Sequence, residues 1–302
     1  MGGLIATWQP LFDLVCIHCI LAYSQYVALR AGLFSLATAG FASAGGYAGA
    51  YLLKTAHWDA FSSGLVATLF GIATGLFLSL PLARLRGAFQ AIATIGFVQI
   101  MVSLTLYASP ITGGALGLNG IPKAATTIPL VAILIAIITL LATINRSGIG
   151  RAFDAIRQDY TVAGSLGISI KTYFRYTFAL SGGLGALGGC LLAFNTYSIQ
   201  PEVFGFPLLV SAIAAVILGG RASVAGPMVG TVFLMVLPEV ARPLADERLL
   251  VQGVLLILVI IYLPQGIVDS LAEHYRSVMA MRRSATVSRP QSQQGPYGLP
   301  SA

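Results

Sequence analysis

Charge is scarce in this chain. Aspartate, glutamate, lysine and arginine make up 9% of its 302 residues, against about 25% in a typical soluble domain. A soluble fold of this length would bury an apolar core but would lack the charged side chains to cover its outside. The three lysines, Lys54, Lys123 and Lys171, follow Leu53, Pro122 and Ile170. None therefore stands in a Gly-x-x-x-x-Gly-Lys-Ser/Thr phosphate loop, and ATP hydrolysis by this chain is excluded. The three histidines, at 18, 57 and 274, are scattered, so no histidine-centred acid–base site is expected. Cysteine is equally sparse. Cys16, His18 and Cys19 resemble half a metal site, but no second half follows. With Cys190 they read as small apolar residues in helix packing, and no metal is expected. The first ten residues, MGGLIATWQP, lack the basic n-region of a cleavable signal peptide.

Apolar sequence is what the chain has. Hydrophobic residues reach 57%, and many runs approach the roughly 20 residues that cross a bilayer as a helix. The runs are continuous, not alternating, which disfavours a β-barrel. The expected fold is an all-α, polytopic transmembrane helical bundle of about 8–10 spans. Its membrane domain covers 1–268, and a basic tail follows at 269–302. Beyond Ser284 that tail is rich in Ser, Gln, Pro and Gly and reads as disordered.

The spans fall at 11–29, 32–53, 61–80, 87–107, 128–144 and 173–194, then at two short segments, 208–218 and 227–237, and last at 250–263. The short pair reads either as tilted spans or as a re-entrant pair. Small residues recur four apart, as in Ala42 and Gly46, Gly45 and Gly49, and Gly71 and Gly75, a spacing that lets helix backbones approach closely in lipid. Polar points inside spans are few: Asp13, His18 and Gln25 in the first, Gln90, Thr94 and Gln99 in the fourth. The segment 109–124 is a structured loop rich in glycine and proline.

The net charge of +7 does not require nucleic acid. With nine spans, 13 of the 17 basic residues fall on one side, as basic residues gather on the cytoplasmic side of membrane proteins. That side carries the tail, which places the N-terminus outside.

One stretch breaks the apolar pattern. Residues 147–172 carry Arg151, Asp154, Arg157, Asp159 and Lys171 between two long apolar runs. A catalytic reading needs a nucleophile, a base and an acid together. The loop has no histidine or cysteine, and Asp154 and Asp159, five apart, do not share a helix face. A docking reading fits better: a short amphipathic helix ending in Ala163, Gly164, Ser165 and Gly167 can seat in a partner's groove.

The loop GRAFDAIRQDYTVAGSLGI at 150–168 resembles the coupling loop of permease subunits of branched-chain amino acid ABC importers, of the LivM type. Further matching blocks are GLFSLATAGFASAGGYAGAYL at 32–52, RLRGAFQAIATIGFVQI at 84–100, GLNGIP at 117–122, FALSGGLGALGGCLLAF at 178–194, VILGGRASVAGPMVG at 216–230 and LPQGIV at 263–268. Together they cover most of residues 30–268, in order, and GLNGIP favours this subunit over its heteromeric LivH-type partner.

The resemblance implies an importer-type ABC permease fold in a bacterial inner membrane. It also implies a second, LivH-type permease subunit, two ATPase subunits that use ATP and magnesium, and a periplasmic substrate-binding protein. No cofactor is expected on this chain. Matching positions place the coupling contact within 146–172, on Ala155, Arg157, Asp159, Ala163, Gly164 and Gly167. Where other importers have glutamate-alanine-alanine, this chain has Thr161-Val162-Ala163-Gly164. A branched-chain amino acid or a related small hydrophobic amino acid or amide is the implied solute. His18, Gln90, Thr94 and Gln99 are candidates for the substrate path. The alternative is a stand-alone secondary transporter or channel. It requires a buried acidic coupling site, for which Asp13 alone is placed near a span.

Overall fold

The computed structural model describes residues 2–240 and 266–270. Helix α1 runs Gly2–Arg30. It stops because Gly32 takes a left-handed conformation, φ +77°. Gly32 N–H then bonds Leu29 O at 3.2 Å and Leu33 N–H bonds Ala28 O at 3.0 Å, the paired bonds of a Schellman ending. The chain stays non-helical until α2, Thr38–Lys54. The second span thus begins later than the expected position 32. The apolar run continues through Gly32, but its backbone leaves the helix there.

Next come α3, Ala60–Leu82, and α4, Ala88–Tyr107. The glycine-rich loop that follows folds into one turn, α5, Ser109–Thr112, a 3-10 turn at Gly114–Leu116 and a two-residue strand, β1, Leu118–Asn119. Then α6 covers Thr127–Arg146. The polar stretch forms two helices, α7, Gly148–Gln158, and α8, Tyr160–Ser165. Helix α9 is Ile170–Thr196. Strand β2, Ser198–Ile199, pairs antiparallel with β1, Leu118 opposite Ile199. The two short apolar segments are α10, Phe206–Gly219, and α11, Gly226–Val240. Six segments among the described residues are long and apolar enough to cross a membrane. The chain is a helical transmembrane protein. The expected span at 250–263, and the tail from 271 onward, lie outside the described residues.

Helix α9 is the centre. It and α1 are mostly buried, whereas α3, α4 and α6 expose most of their surface. Glycine makes that arrangement possible. A Cβ on Gly45 would fall on the Ala186 backbone, one on Gly189 on the Ala42 carbonyl, and one on Gly75 on the Phe178 carbonyl. Without a hydrophobic drive between helices in lipid, such close backbone contact is a main source of association. Two apolar clefts of about 470 and 460 Å3 run along α9 between α3 and α6, with Thr68 lining both.

The bundle has two distinct ends. At one, α7 and α8 meet the end of α1, and Arg86 lies over the Tyr160 ring at 5.5 Å. At the other, Lys54 Nζ donates to Asn119 O at 2.7 Å, and Lys123 sits over the Tyr197 ring at 5.9 Å. Between α10 and α11, the Asp269 carboxylate accepts from Ala222 N–H at 2.8 Å and Ser223 N–H at 3.0 Å, fixing the loop that joins them.

Candidate functional site

The polar stretch is two short helices with caps at both outer ends. Ser147 Oγ accepts from Ile149 N–H at 3.2 Å and starts α7. Its inner face is Gly150, Ala152, Phe153 and Ile156, all buried, while Arg151 and Gln158 are exposed. Asp159 then stops α7 and starts α8, its Oδ1 accepting from Thr161 N–H at 2.6 Å and Val162 N–H at 3.2 Å. Those two amide donors, Val162 first, hold the Asp159 carboxyl below the usual carboxylate range. At the far end Gly167, φ +81°, completes a second Schellman ending: its N–H bonds Gly164 O and Ile168 N–H bonds Ala163 O, each at 3.1 Å.

Two residues of α8 anchor it. Ala163 is fully buried, in a cluster with Phe174 and Phe178, and half-buried Tyr160 packs edge-on against Phe174. The other positions face out: Thr161, Gly164 and Ser165 are exposed, and Val162 and the following Leu166 show 54% and 71% of their surface. A capped, six-residue knob with an apolar tip is what a groove in another protein can receive.

The fold places the six residues expected at the coupling contact on one continuous unit. Ala155 and Arg157 are half-buried on α7, Asp159 caps α8, Ala163 anchors it, and Gly164 and Gly167 are exposed. A Cβ on Gly164 would meet only Ile170 Cδ1, at 3.9 Å, and one on Gly167 nothing within 4 Å.

Sequence reading did not assign what mounts this unit on the bundle. Arg30, the last residue of α1, makes a two-point pair with Asp154: Nη1 to Oδ1, and Nη2 to Oδ2 at 2.9 Å. Arg157 Nη2 adds a weaker contact with Asp154 at 3.7 Å. Hydrogen bonding from Arg30 is the main reason the Asp154 carboxyl is held below its ordinary value. Tyr160 Oη donates to Gly32 O at 2.7 Å. A Cβ on Gly32 would come within 3.0 Å of Arg157 Cα. Arg30, Gly32 and Tyr160 carry no sequence signal for this role beyond a charge and a glycine at the end of a span. Their partners lie more than a hundred residues away.

Just beyond those contacts, residues 31–37 form a non-helical segment, buried except at Gly32 and at Phe34, which is 50% exposed. Irregular backbone at membrane depth requires protein around it to satisfy its polar groups. Here side chains from two helices, α1 and α4, do so. Gln25 Nε2 donates to Ser35 O at 2.6 Å, and Thr38 Oγ1 fixes that carboxamide by donating to Gln25 Oε1 at 2.8 Å. Leu36 N–H donates to Thr94 Oγ1 at 3.0 Å. Beside the segment, α1 is tied to α9: Ser24 Oγ donates to Ser181 O at 2.8 Å, and Ser181 Oγ donates back to Ser24 O at 2.9 Å.

The four residues named for the substrate path are not gathered. His18 on α1 has Nδ1 3.0 Å from Leu14 O and donates to it. Gln90 and Thr94 share the buried face of α4. Gln90 Nε2 has no partner among the described residues, while Thr94 holds the 31–37 segment. Gln99 lies on the exposed face of α4. Among the described residues, no three His, Cys, Asp or Glu side chains gather as a metal site.

Comparison with known proteins gives a consistent set. Residues 11–261 match the family model described as branched-chain amino acid transport system / permease component. The high-affinity branched-chain amino acid transport system permease protein LivM of Escherichia coli is 29% identical over 270 residues, covering 78% of this chain and 64% of that protein. LivH of Salmonella typhimurium is 31% identical over 135 residues, 44% of each chain. The autoinducer 2 import system permease protein LsrC of an Enterobacter species is 28% identical over 189 residues, 54% of each. This chain thus spans somewhat less than two thirds of the length of the LivM relatives. No solved structure matches.

Proposed function

The chain belongs to the branched-chain amino acid transport system permease family, and from that premise we propose that it is the membrane-spanning subunit of an ATP-driven importer. The observation that carries the reading is the family match over residues 11–261. The exposed, capped helix α8 within it supports the same reading. A second permease of the LivH type completes the pathway. Of two ATPase subunits, which hold ATP and magnesium, one seats on the α7–α8 unit at Ala155, Arg157, Asp159, Gly164 and Gly167, while the buried Ala163 anchors that unit from beneath. A periplasmic binding protein delivers the solute at the opposite end. The protein resides in the bacterial inner membrane, with the α7–α8 end in the cytoplasm and the N-terminus outside.

The solute is a branched-chain amino acid or a related small hydrophobic amino acid or amide. Of the candidate polar points of its path, Gln90 and Thr94 are enclosed within this chain and His18 is held to Leu14 O, while Gln99 faces outward. Gln99 is placed to matter most, because a carboxamide on an exposed helix face at membrane depth is costly in lipid and is relieved where a second permease or a solvated pathway covers it. The chain offers few charged groups at this depth, so selectivity rests mainly with the binding protein.

The test is gentle-detergent purification of the tagged chain from its native membrane, with uptake assays in cells lacking it. Co-purification of a second permease and an ATPase, with ATP-dependent uptake of leucine, isoleucine or valine, supports the reading. A chain that purifies alone and still transports refutes it.

A further inference from the structure

We infer that Arg30 and Tyr160 are positioning residues that pass movement of the docking helix α8 into the non-helical segment 31–37, which makes that segment the element the ATPase moves. The inference rests on the importer reading above and adds the route by which force enters the bundle.

Three contacts join the α7–α8 unit to the break after α1, and all converge on residues 30–32. Arg30 holds Asp154 at two points. Tyr160 Oη holds Gly32 O at 2.7 Å. The α7 backbone at Arg157 lies against Gly32, close enough that a Cβ on Gly32 would stand 3.0 Å from Arg157 Cα. The ion pair is bidentate, and its Arg30 side chain is only 10% exposed. A planar guanidinium held this way resists both sliding and rotation. Displacement of α8 therefore reaches residue 30 as a pull or a push, not as slack.

The segment on the receiving side can respond. Residues 31–33 close the end of α1, and beyond them residues 34–37 have left the helical ladder, so their movement breaks no run of helix bonds. Side-chain hydroxyls and one carboxamide hold them instead, and a hydroxyl can exchange partners by rotating. Each such bond is worth about 1 kcal/mol net, a scale at which alternative pairings are accessible. The holders lie on separate helices: Gln25 on α1 donates to Ser35 O, and Thr94 on α4 accepts from Leu36 N–H. A shift of 31–37 is thereby felt by α4, whose exposed face carries Gln99, and by α1, which the reciprocal Ser24–Ser181 pair joins to the central helix α9. Hinges of this kind are a few non-helical residues between rigid elements.

The experiment uses the complete importer, with its ATPases, second permease and binding protein, reconstituted in liposomes. Co-purifying ATPase, ATP hydrolysis and solute uptake are measured on the same preparations of wild type, Arg30→Met, Tyr160→Phe and the exchange Arg30→Asp with Asp154→Arg. The expected result is retained ATPase association and retained hydrolysis. Solute moved per ATP falls about tenfold in Arg30→Met and about fivefold in Tyr160→Phe, with recovery in the exchange variant. Unchanged solute per ATP in both single variants overturns the relay. So does a parallel fall of association, hydrolysis and uptake, which would mark the contacts as merely structural. If Arg30→Met does not accumulate, Tyr160→Phe, which removes one hydroxyl, decides alone. Failure of the importer reading is visible separately, as a wild-type chain that brings down no ATPase, and the relay then falls with it.

Discussion

Arg30 and Asp154 stand 124 residues apart in the chain and meet as a two-point ion pair where the first helix ends. Its pH behaviour follows from the Asp154 carboxyl being held below its ordinary value by that arginine. A carboxyl with a lowered folded-state pKa contributes stability that is fully present above its unfolded value, about 3.9, and is lost as pH falls through the lower folded value. The pair is therefore intact throughout the neutral range. Asp154→Asn should lower the melting midpoint of the solubilised chain equally at about pH 5 and pH 7, with the difference closing only as the carboxyl protonates in acid, below its unfolded range. The Asp154 side chain is 40% exposed, so the effect is at most about 1 kcal/mol, the upper end for a solvent-screened ion pair. A gap that widens on acidification would contradict the assignment.

Gly164→Arg tests the docking face without disturbing the fold. Open space surrounds the position, with Ile170 Cδ1 the nearest atom at 3.9 Å. The variant should reach the membrane in normal amount while uptake falls by about tenfold or more, as expected when a bulky group is placed in an interface. Normal uptake would remove α8 as the contact.

Gly189→Val and Gly96→Ala separate close packing from tolerance. Gly189 presses on the Ala42 carbonyl, whereas Gly96 has nothing within 4 Å. Overpacking at Gly189 should cost about 1–3 kcal/mol or more and reduce the protein recovered from membranes. Gly96→Ala should melt at or slightly above the wild-type temperature, because alanine is the better helix former. Equal recovery and equal melting of the two variants would contradict the packing described for α2 and α9.

Thr94→Val addresses the broken segment. It preserves shape and removes the hydroxyl that accepts from Leu36 N–H at 3.0 Å. A buried N–H left without a partner costs about 1–3 kcal/mol, readable as a lower melting midpoint, and Thr94→Ser should restore most of it. If valine and serine melt alike, Thr94 does not hold residues 31–37.

The fold class was legible because continuous apolar runs near bilayer length admit few alternatives. The polar stretch that forms α7 and α8 was legible as a break in the apolar pattern because charge is so rare elsewhere that Arg151, Asp154, Arg157 and Asp159 stand out. The break at 31–37 was not. Gly32 sits among many glycines and alanines whose spacing reads as helix packing, and only the pairing of Gly32 and Leu33 with the end of α1 shows that the helix stops. Nor were the partners of Arg30, Tyr160 and Gln25. Each lies on another element, and no periodicity links residues so far apart. Asp159 illustrates a residue with two readings: its place in the loop suggests contact with a partner, and its geometry makes it the cap of α8.

The central claim is that α8 is where an ATPase grips this chain, and site-directed cross-linking tests it most directly. The chain's cysteines, Cys16, Cys19 and Cys190, are all buried, which favours a cysteine introduced at Val162 or Leu166 as the reactive site. In native membranes it should cross-link to an ATPase subunit, and the yield should change when ATP is added. A chain that still transports while no ATPase is captured from either position would contradict the account.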